Sequence, residues 1–251
     1  MKLEPNLHTL VWGTESWEVS AHPSSPSVIA DGPDKGRKLS DVKGGFPLLI
    51  KVIDAKTRLS VQVHPNERTA PLTGGEPKTE MWCVLEAGPI YAGLKPGTTP
   101  EAVEKAIESG MFEEILVRHD AKPFETFFIP GGLVHAIGDG VKLYEVQQSS
   151  NTTYRLYDWG RLGVDGKPRE LHIEKSLKSI DFNLPVPVPA RDVRCAFFDF
   201  SQREFDAPTE VTAPDNSFLV VYEVGKGAST LLDPGEKLAV GPGRVFLTKL
   251  P

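Results

Sequence analysis

Cysteine, excess basic charge and long apolar runs are all scarce in this chain. Cys83 and Cys195 are the two cysteines in 251 residues, too few for a disulfide framework, so a cytoplasmic protein with reduced thiols is expected. The 28 basic and 34 acidic side chains leave a formal net charge of −6, which argues against nucleic-acid or anionic-membrane partners. No apolar run approaches the ~18–20 residues of a membrane span, and the N-terminus lacks a signal-peptide core.

Proline and glycine are plentiful, at 22 and 23 residues, and helix signals are few. One helix is predicted to begin after Thr99, a typical N-cap that is followed by a proline, and to end at Gly110. Residues 111–116 and 170–180 are further helix candidates. The rest favours short strands rich in β-branched and aromatic residues, typical of a sandwich or barrel. The predicted strands are 46–53, 59–63, 81–85, 125–129, 141–146, 153–157, 194–200, 217–223 and 244–248.

The stretch LPVPVPA, residues 184–190, carries alternating prolines and should be stiff and extended. It predicts a boundary between a first domain, residues 1–183, with a short helical segment near 99–116, and a second domain, residues 184–251. The second part contains no histidine, so a second imidazole metal site is not expected there.

The stretch SVQVHPNE, residues 60–67, alternates polar and apolar side chains. Gln62 and His64 share one strand face and two valines share the other, and a proline then ends the strand. This pattern fits a strand with a polar outer face as well as it fits half of a metal site.

Two later stretches carry matching ligand types. KTEMW places Lys78 and Glu80 on one strand face, and IPGGLVHAIGDG places His135 just past a Gly-Gly turn. Two imidazoles, a carboxylate and an amide oxygen would suit zinc or another divalent metal. Each pattern also has a plainer explanation, as a packed histidine, a solvated carboxylate or a turn.

Taken together, these stretches resemble the type I mannose-6-phosphate isomerase family, which has the cupin fold. The matching stretches, in the family's order, are ESWEVSAHP (15–23), SVQVHPNE (60–67), KTEMW (78–82), PGGLVHAIGDG (130–140) and EVQQSSNTTYRLYDWGR (145–161). The resemblance implies a mainly β protein with a jelly-roll, double-stranded β-helix fold in two cupin halves. The first half would bind the metal, and the second would be truncated and metal-free.

The resemblance also implies an activity and the residues that carry it. The reaction would be the metal-dependent isomerisation of mannose 6-phosphate and fructose 6-phosphate, with one zinc ion per chain and a phosphosugar as the partner. The protein would be a monomer or homodimer. The implied metal ligands are Gln62, His64, Glu80 and His135, and the implied catalytic side chains are Arg155 and Lys78.

One position departs from the family pattern. Asn151 stands four residues before Arg155, where the family commonly has an aspartate, and an amide cannot serve as a general base. Glu145 is therefore the candidate base. It is equally well explained as a strand carboxylate bonded to Arg155 or Lys142.

Three further side chains are candidates for substrate binding. Trp12 has an aromatic face that suits a sugar ring, although core packing is the commoner fate of tryptophan. Ser60 has a hydroxyl for a phosphate, or a plain role in a turn. Asn151 is the third candidate. The competing functions are a non-catalytic sugar-phosphate-binding cupin and a cupin isomerase acting on a different sugar.

Overall fold

The computed structural model describes residues 1–163 and 165–251 and shows a mainly β protein. In chain order the strands are β1 Leu3–Glu4, β2 Asn6–Leu10, β3 Gly13–Val19, β4 Val28–Ile29, β5 Leu48–Ala55, β6 Val61–Val63, β7 Glu80–Glu86, β8 Gly88–Leu94, β9 Leu116–Ala121, β10 Thr126–Ile129, β11 His135–Ile137, β12 Lys142–Gln148, β13 Tyr154–Tyr157, β14 Val193–Arg194, β15 Asp199–Phe205, β16 Thr209–Thr212, β17 Leu219–Glu223, β18 Ala228–Leu232, β19 Lys237–Val240 and β20 Gly243–Lys249. The helices are α1 Leu39–Lys43, α2 Ala70–Thr73, α3 Pro100–Ser109 and α4 Ile173–Ser179, with a 3₁₀ turn at Phe112–Ile115. In the described ranges no helix has the length and apolar character that a bilayer crossing requires.

The chain forms two compact units, which differ from the predicted division at 183/184. One unit contains residues 1–7, 16–51 and 190–251, and the other contains residues 8–15 and 52–189. One border between the units, at residues 189 and 190, lies in the proline-rich stretch, whereas residues 1–7 and 16–51 group with residues 190–251. Backbone pairing explains the difference, because Met1 donates its amino group to the carbonyl oxygen of Leu231 at 2.9 Å and Lys2 bridges to Thr230.

The unit of residues 8–15 and 52–189 contains two facing sheets. Their strand orders are β10-β7-β12-β5-β3-β2 and β13-β6-β11-β8-β9, and β2, β3 and β5 continue along the chain into the other unit. The inward side chains form one hydrophobic cluster that includes Trp82 and Phe127 from the first sheet and Ile90 and Ile137 from the second. This two-sheet jelly roll is the predicted fold class, since alternate residues of each strand fill the interior.

The alternation in β6 has the predicted consequence. Val61 and Val63 are completely buried in a second cluster on the outer face of their sheet, together with Val103 of α3 and Phe112. The predicted N-cap of α3 is confirmed, because the Thr99 hydroxyl accepts a hydrogen bond from the backbone N–H of residue 102 at 3.3 Å. Gln62 is therefore left on the face that looks into the jelly roll.

The unit of residues 1–7, 16–51 and 190–251 has a five-stranded sheet of order β14-β15-β20-β17-β18 and the pairs β1-β4 and β16-β19. The prediction of one continuous strand over 194–200 was wrong. β14 ends at Arg194, β15 begins at Asp199, and the turn between them is closed by the Cys195 N–H, which donates to the carbonyl oxygen of Phe198 at 3.0 Å. Residues 111–116 form the short 3₁₀ turn and the start of β9, and the helix predicted at 170–180 begins only at Ile173.

Candidate metal centre

Three strand ends bring His64, Glu80 and His135 together. Glu80 and His135 are the first residues of β7 and β11, and His64 lies one residue beyond β6. One ligand atom from each residue lies within 4.8 Å of the others. Their exposed fractions are 1%, 0% and 0%. The two sheets therefore deliver three ligand-type side chains to one buried point.

Both imidazoles are oriented by backbone carbonyl groups. His64 Nδ1 lies 2.9 Å from the oxygen of Thr152, and His135 Nδ1 lies 2.8 Å from the oxygen of Leu133. A carbonyl only accepts hydrogen bonds, so each Nδ1 carries the hydrogen and each Nε2 presents a lone pair. The two Nε2 atoms are 3.2 Å apart. This is the orientation that metal-binding histidines adopt.

Burial keeps both rings neutral. It lowers the pKa of His64 to about 3, with the positive charge of Lys78 adding to the effect. Burial likewise lowers the pKa of His135. Two neutral imidazoles with converging lone pairs are acceptors that a cation would satisfy.

Glu80 completes the cluster and is paired with Lys78. Lys78 Nζ lies 2.8 Å from Glu80 Oε2 and 3.1 Å from His64 Nε2. Burial acts to raise the pKa of Glu80, but the opposing effects, of which the positive charge of Lys78 is the largest, hold this pKa well below its usual value. Among the described residues neither carboxylate oxygen has a partner in hydrogen-bond alignment, so the contact with Lys78 is an ion pair without that alignment.

These residues fit a divalent cation by their own chemistry. A buried carboxylate with unsatisfied oxygens and two oriented imidazoles form a nitrogen and oxygen donor set of the kind zinc takes. Gln62 is half-buried and is the register partner of His135 on one side and of Arg155 on the other. It therefore shares their sheet face, and its role as a fourth ligand stays a prediction.

Arg155 lies on β13 with part of its guanidinium available. Its Nη1 donates to the carbonyl oxygen of Glu170 at 2.7 Å, and its backbone N–H donates to His172 Nδ1 at 3.1 Å. Its Nε is buried and makes no hydrogen bond within the described residues. Burial, followed by the charge of Arg169, lowers the pKa of Arg155, so an anion beside it would be stabilised.

Glu145 occupies an environment that the sequence did not suggest. It is buried, and its Oε2 accepts a hydrogen bond from Trp82 Nε1 at 3.1 Å. The Trp82 ring in turn meets the His135 ring edge-on, with centroids 5.3 Å apart. Glu145 is the register partner of Trp82, so its side chain lies on the inner face with Glu80.

The predicted substrate-binding residues lie in different surroundings. Trp12 is 5% exposed and packs in the inner hydrophobic cluster with Ile53 and Leu59. Ser60 is buried just before β6, and Asn151 is exposed in the loop before β13. Contact between a sugar and any of these three side chains stays a prediction.

Sequence reasoning missed an ionic cluster that follows Arg155. The Asp158 carboxylate binds the guanidinium groups of Arg161 and Arg169. Asp158 and Arg161 lie in the stretch YDWGR, which begins two residues after Arg155, so the signal was available. No local pattern pointed to Arg169, because it lies 11 residues from Asp158 in the sequence and only the folded chain brings the two side chains into contact.

A jelly roll with a buried two-histidine, one-carboxylate cluster at the end of its interior defines a metal-binding cupin. Comparison with known proteins identifies the branch. The profile of the catalytic domain of type I phosphomannose isomerase matches residues 2–81. The mannose-6-phosphate isomerase ManA of Bacillus subtilis is 42% identical over 185 residues, which cover 66% of this chain and 58% of that protein.

A mannose-6-phosphate isomerase of Streptococcus mutans is 34% identical over 216 residues, covering 73% of this chain and 68% of that protein. The chain belongs to the type I mannose-6-phosphate isomerase family. The match spans somewhat over half the length of the Bacillus subtilis relative.

Solved structures agree on the fold. A crystal structure of mannose 6-phosphate isomerase from Bacillus subtilis superposes with a TM-score of 0.80 at 25% identity, covering 98% of each chain. A mannose 6-phosphate isomerase bound with zinc and yttrium has the same fold, with a TM-score of 0.67 at 17% identity and 98% of each chain covered.

Proposed function

We propose that this protein is a metal-dependent aldose–ketose isomerase that interconverts mannose 6-phosphate and fructose 6-phosphate. The observation that carries the proposal is the buried cluster of His64, Glu80 and His135, with both imidazoles held in the metal-binding tautomer. Family membership supports the choice of substrate. Relatives in this family are named as mannose-6-phosphate isomerases.

One zinc ion per chain is the proposed cofactor. His64, Glu80 and His135 would hold it, with the amide oxygen of Gln62 as the fourth ligand. Bound there, zinc would act as a Lewis acid toward the carbonyl and hydroxyl oxygens of the sugar. The zinc in a structural neighbour of the same fold supports this choice of metal.

Lys78 and Arg155 supply the positive charge around the reacting carbons. Isomerisation moves a hydrogen between C1 and C2 through an enediol-like state, so negative charge develops on the sugar oxygens. Lys78 is buried, and its Nζ lies 2.8 Å from Glu80 Oε2 at the edge of the ligand cluster. The unsatisfied Nε of Arg155 offers a charged donor for an oxyanion or the phosphate.

Glu145 is the proposed general base, since Asn151 cannot take a proton. Its position on the inner face beside Trp82 supports this assignment. We expect Glu145→Gln to retain zinc and the fold while kcat falls about 10²–10⁴-fold. Trp82→Phe is the matched control for loss of the hydrogen bond. If Glu145→Gln leaves kcat intact, Glu145 has only a structural role.

The remaining assignments are proposals of the same kind. Ser60, Trp12 and Asn151 would contact the substrate, Ser60 through its hydroxyl. The protein would act in the cytoplasm as a monomer or homodimer.

The decisive experiment measures metal and turnover on the same samples. We expect about one zinc per chain by elemental analysis, and turnover of mannose 6-phosphate in a coupled assay that a chelator abolishes. His64→Ala and His135→Ala should lose both metal and activity. His119→Ala, which removes a half-buried histidine outside the cluster, should lose neither. Retention of metal in both ligand variants would refute the ligand set.

One alternative function follows from Asn151, which stands where the family commonly has an aspartate. A chain that lost its general base would still bind a metal and a sugar phosphate. Stoichiometric zinc together with calorimetric binding of mannose 6-phosphate, but without turnover, would identify a non-catalytic sugar-phosphate-binding cupin. Turnover of the same sample decides for the isomerase.

A further inference from the structure

The chain makes an unusual turn directly after the strand that carries Arg155. Trp159 has φ 61° and Gly160 has φ 68°, so two successive residues lie in the left-handed region. A tryptophan in that region is strained, and such strain persists only where surrounding contacts hold it. The turn brings Asp158 and Arg161 face to face.

Side-chain contacts hold the turn against the chain segment before β6. Trp159 Nε1 donates to the carbonyl oxygen of Leu59 at 2.6 Å, and the guanidinium of Arg58 stacks over the Trp159 ring at 3.8 Å. Arg161 Nη1 donates to the carbonyl oxygen of Arg58. The turn is therefore fixed to the segment that leads into Gln62 and His64.

Asp158 is the centre of this arrangement. It is 6% exposed, and its Oδ1 accepts from Arg161 Nε at 2.8 Å and from Arg169 Nη2 at 2.6 Å. Its Oδ2 accepts from Arg169 Nε at 2.7 Å. Burial acts to raise the pKa of Asp158, but the two arginines outweigh it and lower this pKa. The carboxylate stays ionised and holds both guanidinium groups side by side.

The cluster keeps a surplus of positive charge. One carboxylate balances two guanidinium groups, and the Arg155 Nη1 donates to the carbonyl oxygen of Glu170, the residue that follows Arg169, at 2.7 Å. In a chain with a formal net charge of −6, a half-buried local excess of arginine is a place where an anion would be bound.

We propose that Asp158 is a positioning residue. By holding Arg161 and Arg169 beside Arg155, it builds a cationic subsite that sets the preference for phosphorylated over unphosphorylated sugars. The inference rests on the proposed isomerase function for the identity of the sugar. The anion-binding part rests on the arginine geometry alone.

The test uses the full-length, zinc-loaded protein. We expect Asp158→Asn to raise KM for mannose 6-phosphate about 10- to 100-fold with a much smaller change in kcat. The inhibition constant for inorganic phosphate should rise in parallel, whereas kcat/KM for unphosphorylated mannose should not change. Asp158→Glu should restore part of the difference. Asp120→Asn, which breaks the exposed Arg118–Asp120 pair, is the matched control and should change nothing.

A merely structural role predicts a different result. Equal losses on both sugars, or an unchanged inhibition constant for phosphate, would overturn the proposal. If Asp158→Asn does not fold, Arg169→Gln serves instead, because it leaves the Asp158–Arg161 pair in place and should show the same selective rise in KM and in the phosphate constant.

Binding of inorganic phosphate, followed by calorimetry, separates this inference from the isomerase function. Wild-type protein that binds phosphate, and loses this binding on substitution of Asp158, supports the subsite even if no isomerisation is found. Wild-type protein that isomerises mannose 6-phosphate but keeps phosphate binding after the substitution overturns the subsite and leaves the isomerase function standing.

Discussion

At the scale of single residues, the candidate metal centre depends on hydrogen bonds made by atoms that would not touch the metal. The carbonyl groups of Thr152 and Leu133 set the tautomers of His64 and His135. The ring nitrogens that remain then face one another and Glu80. Hydrogen bonds of this kind fix the tautomer and the ring orientation of a metal-binding histidine.

The lowered pKa of His64 predicts how the stability of the metal-depleted protein depends on pH. The ring has a pKa of about 3 in the folded chain and about 6.5 in the unfolded chain. Between these values the unfolded state binds more protons, so the free energy of unfolding falls as pH drops from about 6.5 toward 3. We expect a loss of roughly 2–4 kcal/mol, since one pKa unit corresponds to about 1.4 kcal/mol.

Urea denaturation of chelator-treated protein at several pH values measures this dependence. His64→Gln removes the titrating ring and should flatten the curve over the same interval. A curve of equal slope in wild type and variant would show that other groups are responsible.

At the scale of elements, three chain segments are joined by backbone hydrogen bonds around the ligands. The Gly132 N–H donates to the carbonyl oxygen of His64 at 2.8 Å, and the Lys78 N–H donates to that of Pro65 at 2.9 Å. These bonds connect the segment after β6 to the segment before β7 and to the turn before β11. This explains how ligands from two sheets are held within a few ångströms.

Gly131 is the position at which this junction has no space for a side chain. A Cβ there would lie 2.9 Å from both the Pro65 carbonyl oxygen and Asn66 Cα, so the backbone would have to shift. We expect Gly131→Ala to lower the free energy of unfolding by about 1–3 kcal/mol and to weaken zinc binding, because the turn delivers His135.

Gly45→Ala is the control, since a Cβ there would meet no atom of the described part of the chain within 4 Å. Thermal unfolding and zinc titration of both variants provide the measurement. Unchanged zinc affinity in Gly131→Ala would mean that the turn does not position His135.

At the scale of the whole molecule, sequence proximity and spatial grouping differ. Residues 1–7 and 16–51 belong with 190–251, and residues 8–15 belong with 52–189. The long separation between Met1 and its partner Leu231 means that the last part of the chain depends on the first for its backbone pairing.

This grouping predicts the behaviour of a fragment. Residues 184–251 expressed alone lack the N-terminal segments of their unit, so we expect no cooperative thermal unfolding and a circular dichroism spectrum of unfolded chain. The full-length protein is the reference. A fragment that unfolds cooperatively would show that the predicted boundary at 183/184 also separates folding units.

Much of the fold follows from local sequence. The alternation in β6, the capping of α3 by Thr99 and the strand pattern from 81 to 157 depend on nearest neighbours and on which face is apolar. Local pattern offered His64, Glu80 and His135 as candidate ligands beside plainer explanations, and it was the resemblance to the family that implied them as a ligand set.

Other features required the tertiary structure. The hydrogen bond from Trp82 to Glu145, the carbonyl groups behind the two imidazoles and the return of Arg169 to Asp158 all join residues with no shared local pattern. The sequence by itself determined the polar–apolar alternation of the strands and the N-cap of α3, since both depend on short-range sterics and burial. It also contained the side chains that are candidate metal ligands. Only the tertiary structure decided which N-terminal strands complete which unit and which charges meet, because loop closure and strand pairing act between residues far apart in the chain.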